Sequence, residues 1–191
     1  VRLAVRQALA AGYERPGLVL GTCSDAVAEG GWSDGFAREQ FKMRDANRIP
    51  IALYDDSDRR RGDRVGLLDV AERAMLAAWY QEYRPDVLIG APLLYEVAFA
   101  LLDGAIPSGL GFIGCGADCV DFPIAKVRFN TDQIGAVAVD ILVRKLRTEM
   151  RDIPACRTVT RVAGAWCDGP SLPRRRRTLL AGAASPQGSR V

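Results

Sequence analysis

An α/β layer structure built on parallel sheets is the fold class this sequence predicts, on two observations. Short apolar runs bounded by glycine alternate with longer segments whose apolar residues recur at helical spacing. Parallel strands need a connection of about a helix's length, so this alternation is what a sheet covered by helices requires. The chain is also long enough: with 191 residues, 49% of them hydrophobic, it can bury roughly 70% of the surface its unfolded form exposes.

Taken in order, residues 1–11 place Leu3, Val5, Ala8 and Leu9 toward one side of a helix that stops at Gly12, a natural C-cap. Residues 17–20 form a short apolar strand bounded by Gly21, and residues 32–43 a helix with Ser33 or Asp34 near its start. Residues 49–54 have the apolar content of a buried strand, and a charged loop follows over 55–63. Asp63 is the expected N-cap of a helix carrying Val65, Leu68, Ala71, Met75 and Trp79. That helix ends at Arg84-Pro85, because the residue before proline is driven out of the α region.

Residues 87–90 read as strand and 93–102 as a short apolar helix closed by Gly104. A buried strand over 110–114, an irregular turn over 115–123 and a second strand over 124–130 come next. The helix expected over 132–150 has Ile134, Val137, Ala138, Ile141, Leu142, Leu146 and Met150 on one stripe, opposite Asp140, Arg144, Lys145, Arg147 and Glu149. Such a pattern predicts an outer helix packed on a sheet. Residues 158–162 supply the last strand, and the chain crosses out of the lobe from Gly164. Beyond Pro173 it is patternless and predicted to be disordered.

Four stretches carry a family resemblance. They are Ala8-Leu9-Ala10-Ala11-Gly12-Tyr13-Glu14-Arg15-Pro16-Gly17-Leu18-Val19-Leu20-Gly21; Asp34-Gly35-Phe36; Trp79 with Arg84-Pro85-Asp86-Val87-Leu88-Ile89-Gly90; and Phe129-Asn130-Thr131-Asp132-Gln133-Ile134-Gly135-Ala136-Val137-Ala138. In this order, with the ending Gly164-Ala165-Trp166, they resemble the LacI/GalR family of bacterial transcription regulators, over nearly everything up to Leu172. The resemblance implies a periplasmic binding protein-like type I fold, two Rossmann-like parallel-sheet lobes interleaved in sequence. It assigns residues 1–20 and 131–163 to a remnant of the N-terminal lobe, 21–130 and 164–172 to the C-terminal lobe, and 173–191 to a disordered basic tail. It also implies a fragment, beginning with Val1 and lacking the helix-turn-helix headpiece.

Charge and composition narrow the function. The net charge is +3, but residues 173–191 alone carry +5, leaving −2 on the rest. A slightly acidic body lacks the footprint of a phosphate-binding surface, so operator DNA is expected to be held only through the missing headpiece. No apolar run approaches the ~18 residues of a membrane span, and the first residues carry no signal-peptide pattern. Cys23, Cys115, Cys119, Cys156 and Cys167 have no framework spacing and read as free thiols of a cytoplasmic protein.

Catalysis has little to work with. There is no histidine, hence no Ser/His or Cys/His pair, and no glycine-rich phosphate loop follows a strand. The mixed run of Asp55, Asp56, Asp58 and Asp63 with Arg59, Arg60, Arg61 and Arg64 reads as a solvated loop. Cys115-x-x-x-Cys119 has no second close pair to complete a metal site. No enzyme activity, metal or cofactor is expected.

Binding is the better supported function, since two-lobed α/β proteins hold ligands at the carboxyl ends of their strands. By the resemblance Trp32, Pro92, Leu93, residues 115–118 with Asp118, and Asn130 fall there. Trp32 can stack on a sugar face or pack in the core; Asn130 can pair with a hydroxyl or cap the helix after it. Where the family usually has arginine, an Asn-Asp pair and aspartate, this chain has Trp32, Pro92-Leu93 and Gly116, which points either to a more apolar effector or to a response to partner or concentration alone. The resemblance also implies a homodimer through Leu94, Val97 and Leu101 and the loop around Phe122. The expected function is the effector-binding and dimerisation core of a LacI-type repressor-like regulator taking a sugar or similar small molecule; the rival is a periplasmic sugar-binding protein of an ABC importer.

Overall fold

A computed structural model describes residues 1–57, 68–91, 109–116, 123–148, 156 and 158–175. Its helices are α1 (Arg2–Ala10), α2 (Thr22–Val27), α3 (Gly31–Gln40), α4 (Val70–Tyr83) and α5 (Thr131–Arg147), with a 3-10 turn at Asp45–Asn47. The strands are β1 (Pro16–Gly21), β2 (Ala52–Tyr54), β3 (Val87–Gly90), β4 (Gly111–Cys115), β5 (Ala125–Arg128) and β6 (Ala165–Cys167). They make one six-stranded sheet in the order β2-β1-β3-β4-β5-β6. All pairings are parallel except that of β6 with β5.

Both faces of this sheet are covered, so its central strands are buried along their whole length. Side chains alternate between the faces with the period of a strand. Leu18 and Leu20 of β1, Val87 and Ile89 of β3, Ile113 of β4 and Val127 of β5 meet Ala4, Val5 and Ala8 of α1 and Phe36 of α3. Val19, Leu88 and Phe112 face the other way, onto Ile49, Leu76 and Trp79. Removing a fully buried aliphatic such as Ile89 or Ile113 from water contributes about 1.5–3 kcal/mol per side chain.

Several expectations need correction. β1 lies between β2 and β3, so residues 1–20 belong to the same sheet lobe as 21–90, not with 131–163. α4 starts at Val70, because Asp69 accepts the Glu72 N–H while the Glu72 carboxylate accepts the Asp69 N–H, a capping box. Asp63 and Val65 lie outside the described residues, and Leu68 is buried just ahead of the helix. The short helix α2 was not anticipated. The end of α4 is as expected: Arg84 takes a left-handed φ of 46° ahead of Pro85.

The last strand is Ala165–Cys167; residues 158–162 join no ladder. α5 forms as its periodicity predicts but does not pack on the sheet. None of its residues is buried, and Ile134, Leu142 and Leu146 are 45%, 56% and 66% exposed. The chain leaves the sheet after β5, so among the described residues no strand lies beneath the helix.

Residues 173–175, placed in a disordered tail by composition, are held in the fold. The Tyr13 hydroxyl donates to the Pro173 carbonyl at 3.2 Å, and the Arg175 N–H donates to the Ala11 carbonyl at 2.8 Å. The Arg175 guanidinium lies 4.1 Å over the Tyr13 ring and pairs with Asp86 at 2.9 Å. Residues 176–191 and the helix expected over 93–102 lie outside the described residues. No described helix is long and apolar enough to cross a membrane.

Candidate ligand crevice

The strand order creates a switch point. From β1 the chain passes through α2 and α3 to β2 on one side; from β2 it returns through α4, on the opposite face, to β3 on the other side. Connections that leave neighbouring strands in opposite directions open a crevice at the carboxyl ends, the usual ligand position in open α/β sheets. Its rim is set by Thr22 and Cys23 after β1, Asp55 and Asp56 after β2, Ala91 after β3, Gly116 after β4, and Phe129 and Asn130 after β5.

Asp56 is the organising group on this rim. Although buried, it accepts from the Cys23 N–H at 2.6 Å and from the Ser24 N–H and hydroxyl at 3.2 and 2.5 Å. Burial pushes its carboxyl up, but the bonds from Ser24 and Cys23 outweigh burial and hold it below the usual carboxylate range. Only glycine fits opposite: a Cβ on Gly21 would stand 2.3 Å from the Asp56 Oδ2. Asp25 does the same for α3, accepting from the N–H groups of Trp32 and Ser33 at 3.2 Å and from the Ser33 hydroxyl at 2.6 Å. The start of α3 is thus held from α2, with Gly30 rather than Ser33 or Asp34 at the cap position.

Of the residues singled out by sequence for the ligand, Trp32, Cys115, Gly116 and Asn130 are described; Cys115 is buried in the core and Gly116 stands on the rim. Trp32 is partly buried and packs against the core beneath α1 and α3, so packing accounts for part of its surface. Asn130 is exposed; its side chain does not cap α5 but donates to the Ala163 carbonyl at 2.7 Å. Pro92, Leu93 and Asp118, like Leu94, Val97, Leu101 and Phe122 of the expected dimer face, lie outside the described residues. Sequence reasoning read Asp56 as part of a solvated loop, although it stands two residues past β2 and is buried, and it did not single out Phe129 as a site residue, 45% exposed on the rim.

Among the described residues, one group could hold an ion: donor atoms of Cys23, Asp55 and Asp56 lie within 4.8 Å of one another. Both Asp56 oxygens, however, are already committed to α2. The described cysteines Cys23, Cys115, Cys156 and Cys167 are free thiols, and burial pushes the Cys115 thiol above its ordinary value.

No protein-family model matches the chain, and neither does any curated protein. Solved structures do. An uncharacterized protein from Actinobacillus succinogenes aligns over 90% of this chain and 60% of its own, at 17% identity and a TM-score of 0.59. A sugar-binding LacI-family regulator from Escherichia coli, complexed with phosphate, aligns over 91% and 60% at 16% identity and a TM-score of 0.57. A LacI-family regulator from Enterococcus faecium with bound ribose aligns over 92% and 62% at 13% identity and a TM-score of 0.53. The chain spans about 60% of the length of these structures. At such identities the likeness shows the fold, which is the periplasmic binding protein-like α/β fold that LacI-family regulators and the lac repressor share.

Proposed function

We propose that the chain is the effector-binding core of a LacI-type transcription regulator, taking a small molecule in the crevice at the carboxyl ends of β1 to β5. The observation that carries this reading is the switch point between β1 and β3, with Trp32 nearby and Phe129 and Asn130 on the rim, in a fold whose solved neighbours include a ribose complex and a phosphate complex. In this reading α5 and the residues up to 163 belong to a second lobe, which covers the exposed stripe of Ile134, Leu142 and Leu146. Pro92, Leu93 and Asp118 join Trp32 and Asn130 around the ligand, and Leu94, Val97, Leu101 and Phe122 form a homodimer face. A ligand that binds one lobe arrangement better than another shifts the population able to hold two DNA-binding headpieces on an operator. The protein is cytoplasmic and non-catalytic on this account; the lack of any histidine supports the latter.

Calorimetric titration of the chain with ribose, other pentoses and hexoses tests it. The expected outcome is saturable binding to at least one sugar, weakened about five- to thirtyfold by Trp32→Ala, the loss of a stacking surface worth roughly 1–2 kcal/mol. A folded chain that binds none of them overturns the reading. Sequence preceding Val1 separates regulator from importer, since the first requires a helix-turn-helix there and the second a signal peptide.

A further inference from the structure

The chain leaves the sheet for α5 and returns to it along two crossings that run side by side. Their ladder is antiparallel and ends at the pair Arg128↔Ala165. Two residues past that pair the outgoing crossing turns sharply at Asn130, where φ is −79° and ψ 71° and the Thr131 N–H donates to the Phe129 carbonyl at 2.9 Å. That is an inverse γ-turn, a pivot one residue long. The returning crossing presses close to it. A Cβ on Gly164 would lie 2.8 Å from the Arg128 carbonyl oxygen, so only glycine keeps the two backbones this near.

Across this gap the Asn130 amide donates to the Ala163 carbonyl at 2.7 Å, adding one bond beyond the last backbone rung. Asparagine at a helix start ordinarily turns its side chain to the first-turn N–H groups. Here it makes no such bond and reaches instead to a residue 33 positions on. Since α5 has no buried residue, packing does not do this work for it.

We propose that Asn130 is a positioning residue: its side chain clamps the outgoing and returning crossings into a single pivot, so that α5 swings against the sheet as one body. The inference rests on the two-lobe reading above and gives Asn130 a task beyond lining the crevice. Because it sits on the crevice rim beside Phe129, whatever fills the crevice acts on the pivot directly.

Hydrogen–deuterium exchange of the ligand-free chain tests this, with Asn130→Ala and Asn130→Asp. Aspartate keeps the shape but has no N–H to donate, and it is a good helix cap in its own right. Both variants are expected to speed exchange over residues 163–167 roughly three- to tenfold, the effect of losing one ordinary hydrogen bond. β1 and β3 keep their protection, and the first turn of α5, uncapped by the Asn130 side chain, gains protection only where aspartate caps it. Unchanged exchange over 163–167 in both variants overturns the clamp. So does lost protection across β1 and β3, which would make Asn130 a residue of the global fold. No sugar is needed for the readout, so a failed sugar titration and a failed clamp are told apart.

Discussion

Glu39 offers the sharpest test of how the lobe is held together. It lies on α3, nearly out of solvent, with its Oε1 accepting from the Arg2 Nε at 3.2 Å and the Arg6 guanidinium at 2.8 Å, and its Oε2 from the Lys42 Nζ at 2.7 Å. Burial pushes the carboxyl up, yet the bonds from Lys42, Arg6 and Arg2 more than offset this and leave it at about 2. Titrating at about 2 rather than the ordinary 4.5 corresponds to roughly 3 kcal/mol in favour of the charged, folded form. The three cations are about half exposed, so solvent screening reduces this to about 1–2 kcal/mol.

The sign follows from the direction of the shift. A carboxyl that titrates lower when folded contributes fully above about pH 4.5, and that contribution is lost as pH falls toward about 2. Glu39→Gln keeps an acceptor for the arginines but brings an amide N–H toward Lys42, so at neutral pH it should lower stability by about 1–2 kcal/mol. Urea unfolding followed by circular dichroism, repeated from neutral pH to about 2, should show the gap between wild type and variant closing below about 4.5. A gap that stays constant over that range, or a variant as stable as wild type at neutral pH, would refute the reasoning.

Two further substitutions test the ends of the sheet. Gly21→Ala forces Asp56 off the start of α2 and should destabilise by about 1–3 kcal/mol, with faster amide exchange over Thr22–Val27; wild-type exchange there would show that α2 does not depend on the Asp56 carboxylate. Arg175→Ala removes the ion pair with Asp86 and the stack on Tyr13, and should cost about 1–2 kcal/mol in thermal or urea unfolding. An unchanged midpoint would mean that residues 173–175 rest on the lobe without supporting it.

The parts of the fold that could be read from sequence are those whose signal is local. β1, β3 and β4 are covered on both faces, so they appear as unbroken apolar runs, and the spacing of apolar residues gave α1 and α5. Lobe membership carries no such signal. What puts β1 in the main sheet is the pairing of Pro16 with Val87 and of Val19 with Ala52, partners tens of residues away. β6 was missed for the same reason: Ala165–Cys167 is three residues long and is strand only because β5 lies beside it, whereas residues 158–162 have strand-like composition and no strand partner among the described residues. Asp56 and Asn130 repeat the lesson at the site. An aspartate in a charged run reads as solvated until Gly21 and Ser24 are brought against it, and the partner of Asn130 is likewise invisible in its own segment.

The two poles of the sheet are held by different means, which bears on how the crevice can respond to a ligand. At the amino ends the returning chain is fastened repeatedly: the Ser171 carbonyl accepts the Phe112 N–H, its hydroxyl bridges Ala125 and Phe112, and Arg175 reaches Asp86, which also accepts the N–H groups of Glu14 and Arg15. These bonds join the starts of β1, β3, β4 and β5 into one rigid base. At the carboxyl ends α2 and the first turn of α3 are held chiefly through the carboxylates of Asp56 and Asp25, and the crossings to α5 through the short β5–β6 ladder and the Asn130 amide. Few bonds and little burial mean a low free energy of local opening. A ligand entering at that pole therefore acts on the softer end of the lobe, with the stiff base as a fixed reference for whatever motion it selects.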